Sequence, residues 1–418
     1  MLLLMLVNLI PNSLLLDNAK AASEQLREAN RQFSLYHRDE SIPEWWRTMT
    51  HQDYFTDSIM VGVSISNSDR DIINRTLNTK FYTQDYNEGL GNLGNPVLAL
   101  HKQLHGDFEG LREYDYSRYW HGYLLFLRPL LAVLDYKGIT ILNFVVLNGL
   151  MILLTIMLCR VLDRGTACCF ALTMLAILAP FAPINLQFMD CLFIACVASL
   201  VILLARGWIG RDFVHASLLF FVVGAATSYF DFLTFPILTL CIPLTVWLAL
   251  QIRRRTASIP RVGILAASWF AGYVYMWAGK WILTCLLTSN NIMATVHDQI
   301  MLRSVDIHHG SPFPVKETLA KFMSPNVVCL VAVLILFFAY LWLARKESSS
   351  RAEVKSLVLV GLFPLAWCLL CMQHTFQHPH LTWRFVGGII FPYLCIAALY
   401  TSPREMRRRL RARFKRPD

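Results

Sequence analysis

Asp115-Tyr116-Ser117-Arg118-Tyr119-Trp120-His121-Gly122-Tyr123 stands where a long polar segment gives way to a series of apolar runs. It carries a carboxylate, a guanidinium, an imidazole and a hydroxyl among four aromatic rings. Aromatic side chains with a polar tip collect where an apolar medium meets water. A charge placed there needs a partner, a cavity or a ligand. The stretch therefore divides the chain into a polar part and an apolar part, and it puts titratable chemistry on the border.

The totals say what the apolar part is. Of 418 residues, 56% are hydrophobic and only 16% charged, and mean hydropathy is +0.45. A water-soluble chain of this length would expose far more charge, so the composition predicts an all-α, polytopic transmembrane helical bundle. The net charge of +10 does not imply nucleic acid, because the basic residues sit in short connections and in the tail. None of the eleven cysteines lies between residues 17 and 137, which argues against disulfides in the polar segment. Cys368-Leu-Leu-Cys371 has a redox spacing but lies in an apolar helix, so it reads as packing.

Outward from the junction, apolar runs predict spans near 138–159, 165–179, 184–205, 213–229, 233–251, 262–288, 325–344, 356–372 and 385–401. Residues 1–16 are short for a span of about 20 residues and lack the marks of a cleaved signal peptide. They read as a clipped first helix, which brings the expected total to ten. Residues 17–137 become an extracytoplasmic loop with juxtamembrane helices, residues 138–401 the bundle, and residues 402–418 a basic cytoplasmic tail. Arg160 and Arg164, Arg206 and Arg211, Arg253 to Arg261, and Arg345 to Lys355 alternate with connections poor in Lys and Arg. By the positive-inside rule both termini are then cytoplasmic in a multi-pass protein of the cell membrane. Eleven of the twelve histidines fall on the outer side of that map; His215 is the exception.

Several polar residues stand out against this background. Asp57, next to the apolar patch Ile59 to Ile65, could act as a general base or bind a divalent cation; the alternative is a helix cap. Asp53, Glu44, Asp69 and Asp71 are its rivals. Arg118, Tyr119, Trp120 and His121 offer a phosphate-binding fork, rings and an imidazole, unless they are interfacial anchors. Asp231 sits in a tight hairpin between two expected spans, as a functional carboxylate or as a cap. Tyr273, Trp277 and Trp281 recur at helical spacing and form one face with Lys280 beside it, a surface for sugar rings and phosphate or else an aromatic belt. Arg303, His374, His378 and Arg384 lie in the later outer segments as ligand contacts. Three imidazoles at 374, 378 and 380 match no standard zinc spacing. Asp190 needs a partner, with Arg128 or Lys280 available. Asn74-Arg75-Thr76 is a glycosylation sequon in form only, and no nucleotide-binding fingerprint occurs.

The order of parts, a first helix, a large outer loop holding an acidic residue, then many spans, resembles the GT-C superfamily of polytopic glycosyltransferases. Asp69-Arg70-Asp71 has the form of that family's acidic pair but lies far along the loop, while Asp57 stands alone. Ser117 to Tyr123, Tyr229 to Phe232 and Gln373 to Arg384 also resemble segments of bacterial membrane proteins linked to surface polysaccharides. The resemblance implies a polyprenyl-phosphate sugar donor, membrane lipid as surroundings and a glycan acceptor at the outer face. It implies a loop carboxylate as base, with Arg118, Lys280, Arg303 and Arg384 compensating the phosphate leaving group. A transporter or flippase of a lipid-linked sugar, or a non-catalytic envelope assembly protein, is the alternative.

Overall fold

The computed structural model describes residues 1–66, 70–84, 94–210, 212–304, 351–401 and 407–408. It is about 76% helical. Helices α1 (Leu2–Asn8), α2 (Leu16–His37), α3 (Glu44–Met49), α4 (Tyr54–Ile65) and α5 (Ile72–Leu77) come first. Strand β1 (Lys80–Gln84), α6 (Pro96–Leu104), β2 (Leu111–Asp115) and α7 (Leu124–Leu131) complete the N-terminal region. β1 and β2 pair antiparallel, with Lys80 opposite Asp115 and Gln84 opposite Leu111. This two-stranded ladder, the sole sheet among the described residues, sits where only helices were expected.

The apolar part follows as α8 (Tyr136–Val161), α9 (Arg164–Ala176), α10 (Asp190–Leu204), α11 (Arg206–Ile209), α12 (Phe213–Phe230), α13 (Leu238–Arg253), α14 (Ile259–Leu287) and α15 (Met293–Ser304). From residue 351 come α16 (Arg351–Leu370), α17 (Met372–Gln377), α18 (Pro379–Thr382) and α19 (Gly387–Tyr400). Aspartates start several of them: Asp135, Asp163 and Asp212 accept from backbone N–H groups in the first turns of α8, α9 and α12. Each satisfies donors that the first helical turn leaves unpaired.

Among the described residues, five helical stretches are long and apolar enough to cross a membrane: α8, α12, α14, α16 and the run Pro379–Tyr400. The expected ten is corrected accordingly. Residues 1–16 are not a span, because the helix stops after seven residues at Asn8 and resumes beyond Pro11. α9, α10 and α13 hold 13, 15 and 16 residues. At about 1.5 Å per residue they fall short of a hydrocarbon layer about 30 Å thick. The stretch expected at 325–344 lies outside the described residues, as do most of residues 402–418.

Burial separates two kinds of apolar helix. Leu238 to Gln251 of α13 are all buried, so this helix is the axis of the core and is apolar all round for that reason. α8, by contrast, leaves Ile141, Phe144, Val145, Ile152 and Leu153 exposed. A face of that kind suits lipid, not water. α12 and α14 pack backbone to backbone. A Cβ at Gly224 would collide with the Trp269 carbonyl, and one at Gly272 with the Phe221 carbonyl. A second core joins α1, α2, α4 and α6 to the aromatic junction and to the start of α8, including Leu26, Val61, Phe81, Tyr119 and Ile139.

Candidate functional site

The spacing of Tyr273, Trp277 and Trp281 on α14 does make one face, and that face walls a cavity of about 260 Å³. Arg118, Tyr119 and Trp367 are among the residues across from it. The rings form a connected surface: Tyr119 lies 5.2 Å from Trp277 and Trp277 lies 5.4 Å from Trp281, centroid to centroid. The Trp281 indole N–H donates to the Arg118 carbonyl at 3.2 Å, fixing the junction against α14. The Arg118 guanidinium carbon stands 4.6 Å from the Tyr116 ring and 5.0 Å from the Tyr119 ring. Arg118 is 7% exposed, and its Nε and Nη1 have no hydrogen-bond partner. Buried donors are almost always paired, so two unpaired N–H groups on one guanidinium next to an aromatic hollow favour an anion drawn to that position.

The rest of the junction stands behind this wall. Trp120 donates its indole N–H to the Met276 carbonyl at 2.7 Å. His121, 2% exposed, holds the Tyr116 carbonyl with Nε2 at 2.9 Å, and its Nδ1 lies 3.4 Å from the Tyr123 hydroxyl. Burial, then the nearby Lys280 charge, pushes the His121 imidazole down to about 3, so it is neutral and structural. Lys280 is fully buried and donates to the carbonyls of Leu77 at 2.8 Å and Thr76 at 3.4 Å. It caps the C-terminal end of α5, where a cation also complements the helix dipole. The expected ligand roles of Trp120, His121 and Lys280 are corrected on these contacts.

Asp57 is not at the cavity. It is fully buried in α4 and accepts from the Tyr136 hydroxyl at 2.6 Å, Asn185 Nδ2 at 3.0 Å and the Leu186 N–H at 3.0 Å. Burial pushes its carboxyl up to about 7 against the lowering effect of these donors. It ties the N-terminal region to α8 and to the chain before α10. The cap of α4 is Asp53, which accepts from the Thr56 N–H at 3.0 Å. Asp71 caps α5, and Asp69 lies outside the described residues.

Asp231 accepts from the Thr234 N–H at 3.1 Å and from the Thr234 hydroxyl, fixing the turn before α13, which starts later than expected, at Leu238. His374 gives Nε2 to the Leu233 carbonyl at 2.9 Å, and its ring lies 5.1 Å from that of His378. Among the described residues, the ligand atoms of the 374–380 histidines do not come together as a metal-binding group. Arg384, 4% exposed, lies over the Phe188, Trp383 and Phe235 rings with Nε and Nη1 unpaired. The side chain of Arg303 lies outside the described residues.

Asp190 lines a second, apolar cavity of about 620 Å³ between α7, α8, α10 and α12, and its Oδ2 has no hydrogen-bond partner. Neither suggested partner reaches it. Arg128, 1% exposed, instead donates to the carbonyls of Val7 at 3.0 Å, Ser64 and Ile10, and to Asn12 Oδ1 at 3.2 Å. Of Asp57, Arg118, Asp231, Lys280 and His378, Arg118 alone lines the aromatic cavity. Comparison with known protein families, curated proteins and solved structures returns no match.

Proposed function

We propose that the chain is a multi-pass membrane protein, with both ends cytoplasmic, whose aromatic cavity binds a polyprenyl-phosphate sugar. We propose further that it is a GT-C-like glycosyltransferase passing that sugar to a cell-surface glycan. The observation that carries the reading is the guanidinium of Arg118, buried beside the cavity with two unpaired N–H donors. A planar fork suits phosphate, and indole and phenol faces suit a sugar ring. At about 260 Å³ the cavity lies just below the usual ligand-pocket range of about 300–1,000 Å³, so it fits a headgroup and not a whole lipid.

In the transfer step the acceptor hydroxyl oxygen bonds to the anomeric carbon as the bond from that carbon to the phosphate oxygen breaks. Arg118 takes up the charge appearing on the departing polyprenyl phosphate. The hydroxyl proton passes to Asp231, which is not in the cavity lining, so the acceptor must reach the turn that Asp231 and Thr234 form. Farnesyl phosphate titrated against the purified chain should quench fluorescence from Trp277, Trp281 and Trp367. Arg118→Met should weaken this at least about tenfold, and equal binding by wild type and variant would overturn the reading.

A second reading has one observation in its favour: no carboxylate among the described residues lines the aromatic cavity. A transporter or flippase of the same ligand needs the phosphate contact and no base. Asp231→Asn separates the two. It should abolish sugar transfer in the enzyme and leave movement of the lipid across vesicles unchanged in the transporter.

A further inference from the structure

Away from the aromatic cavity, α2 and α6 run side by side with Ala19, Ala22 and Leu26 of one buried near Val97 and Leu100 of the other. At the edge of this contact three ligand-type side chains meet. His101 is in the last turn of α6 and His105 is its C-cap, so the four-residue spacing puts both rings on one side, 4.2 Å apart. From α2, Glu24 Oε1 reaches within 3.1 Å of His101 Nδ1 and 3.9 Å of His105 Nε2. All three ligand atoms lie within 4.8 Å of one another. Ligands about 2.0–2.1 Å from a tetrahedral zinc ion stand about 3.3 Å apart, so these spacings bracket a zinc shell.

Two details go beyond proximity. His105 Nδ1 lies 2.8 Å from the His101 carbonyl, which can only accept, so Nδ1 carries the proton and Nε2 presents a lone pair toward Glu24. That is how metal-binding imidazoles are oriented. His101 Nδ1 is buried and makes no hydrogen bond, although a carboxylate oxygen is 3.1 Å away. A lone pair and an anionic oxygen at that range repel unless a proton or a cation stands between them. Arg27 approaches the other carboxylate oxygen, Oε2, at 4.0 Å, and leaves Oε1 to the histidines.

We infer that Glu24, His101 and His105 form a zinc-class divalent metal site that clamps α6 to α2, with a water as fourth ligand. Two imidazoles and one carboxylate favour zinc and its late first-row neighbours over magnesium or calcium. The site makes no use of the aromatic cavity and stands whether or not the transferase reading holds.

The test uses the full chain in detergent, stripped with chelator and titrated with zinc chloride alone. Wild type should take up one tight equivalent and melt at a higher temperature with zinc, as a ligand specific to the folded state requires. Glu24→Gln should bind at least about tenfold more weakly, and His101→Ala with His105→Ala should lose the tight equivalent and the thermal shift. Cobalt(II) on wild type should give the absorption of a four-coordinate ion. Should the histidine variant not fold, histidine acylation of wild type decides, because zinc should protect His101 and His105 from the reagent. Equal zinc affinity in the double variant, or equal labelling of both rings with and without zinc, overturns the assignment.

Discussion

The N-terminal region, with the side chains docked on it, and the ring clusters around Arg118 and Arg384 each bury charge, and they treat it in opposite ways. In the first, Arg128 is surrounded by three backbone carbonyls and an amide oxygen, Lys280 by two carbonyls, and Asp57 by three donors. In the second, Arg118 and Arg384 lie among rings with two nitrogens each left unpaired. A buried charge with all its partners is a clamp, since removing it leaves those partners orphaned. A buried charge without them costs stability, and a ligand that supplies the partners offsets that cost. The contrast separates residues that hold the fold from residues that hold something else, although all five look alike as letters.

The largest break in this contrast comes from Arg128→Met. Methionine is apolar and fills only the stem of the site, so the carbonyls of Val7, Ile10 and Ser64 lose their donor inside the protein. We expect a loss of about 3–5 kcal/mol in thermal or denaturant unfolding, with α1 coming loose first. Lys280→Met orphans the Leu77 and Thr76 carbonyls at the end of α5 and should cost about 2–3 kcal/mol by the same measurement. If both substitutions proved neutral, satisfied and unsatisfied cations would be indistinguishable and the contrast would fall.

Acidification sharpens it within the satisfied region. The Asp57 carboxyl is raised to about 7, so between about pH 4 and 7 the folded state holds a proton that the unfolded state has released, and stability falls as pH rises. His121 is lowered to about 3, so between about pH 3 and 6.5 the unfolded state binds the extra proton, and stability rises with pH. Each slope is about 1.4 kcal/mol per pH unit at most, and they oppose each other across the shared window. Wild type should therefore melt at nearly constant temperature from pH 4.5 to 6. Asp57→Asn should become less stable on acidification. His121→Asn, a residue tolerant of the positive φ of 56° at this position, should become more stable. Parallel profiles in the two variants would show that the groups do not titrate as their burial demands.

The sequence made some of this legible. Period and length located α8, α12 and α14 closely, and the spacing of Tyr273, Trp277 and Trp281 identified the wall of the cavity. Hydropathy alone misjudged the shorter helices, because it does not distinguish an apolar helix from an apolar turn. Leu233 to Ile237 are apolar but precede α13, held by Asp231 and Thr234. Residues 1–16 read as one run, although the helix ends at Asn8, whose side chain bonds Thr76, and Arg128 binds the carbonyls around the break. Long-range pairing decides which charges are spent, and no local pattern encodes a partner 121 residues away. The four-residue spacing of His101 and His105 goes unread in the sequence, because Glu24 approaches them from a separate helix, α2.

The smallest expected effect on stability is the most telling. Arg118→Met and Arg384→Met remove guanidinium groups whose Nε and Nη1 bond nothing, so neither orphans a partner of those nitrogens, and each relieves a buried charge. The rings under both guanidiniums and the Tyr119 hydroxyl paired with Arg118 set the loss, so unfolding without ligand should cost at most about 1–2 kcal/mol, less than in the satisfied region. With farnesyl phosphate present, wild type should gain stability through binding while Arg118→Met should not. A loss of several kcal/mol in ligand-free Arg118→Met would make Arg118 another clamp, and the aromatic cavity would lose its reason to hold a phosphate.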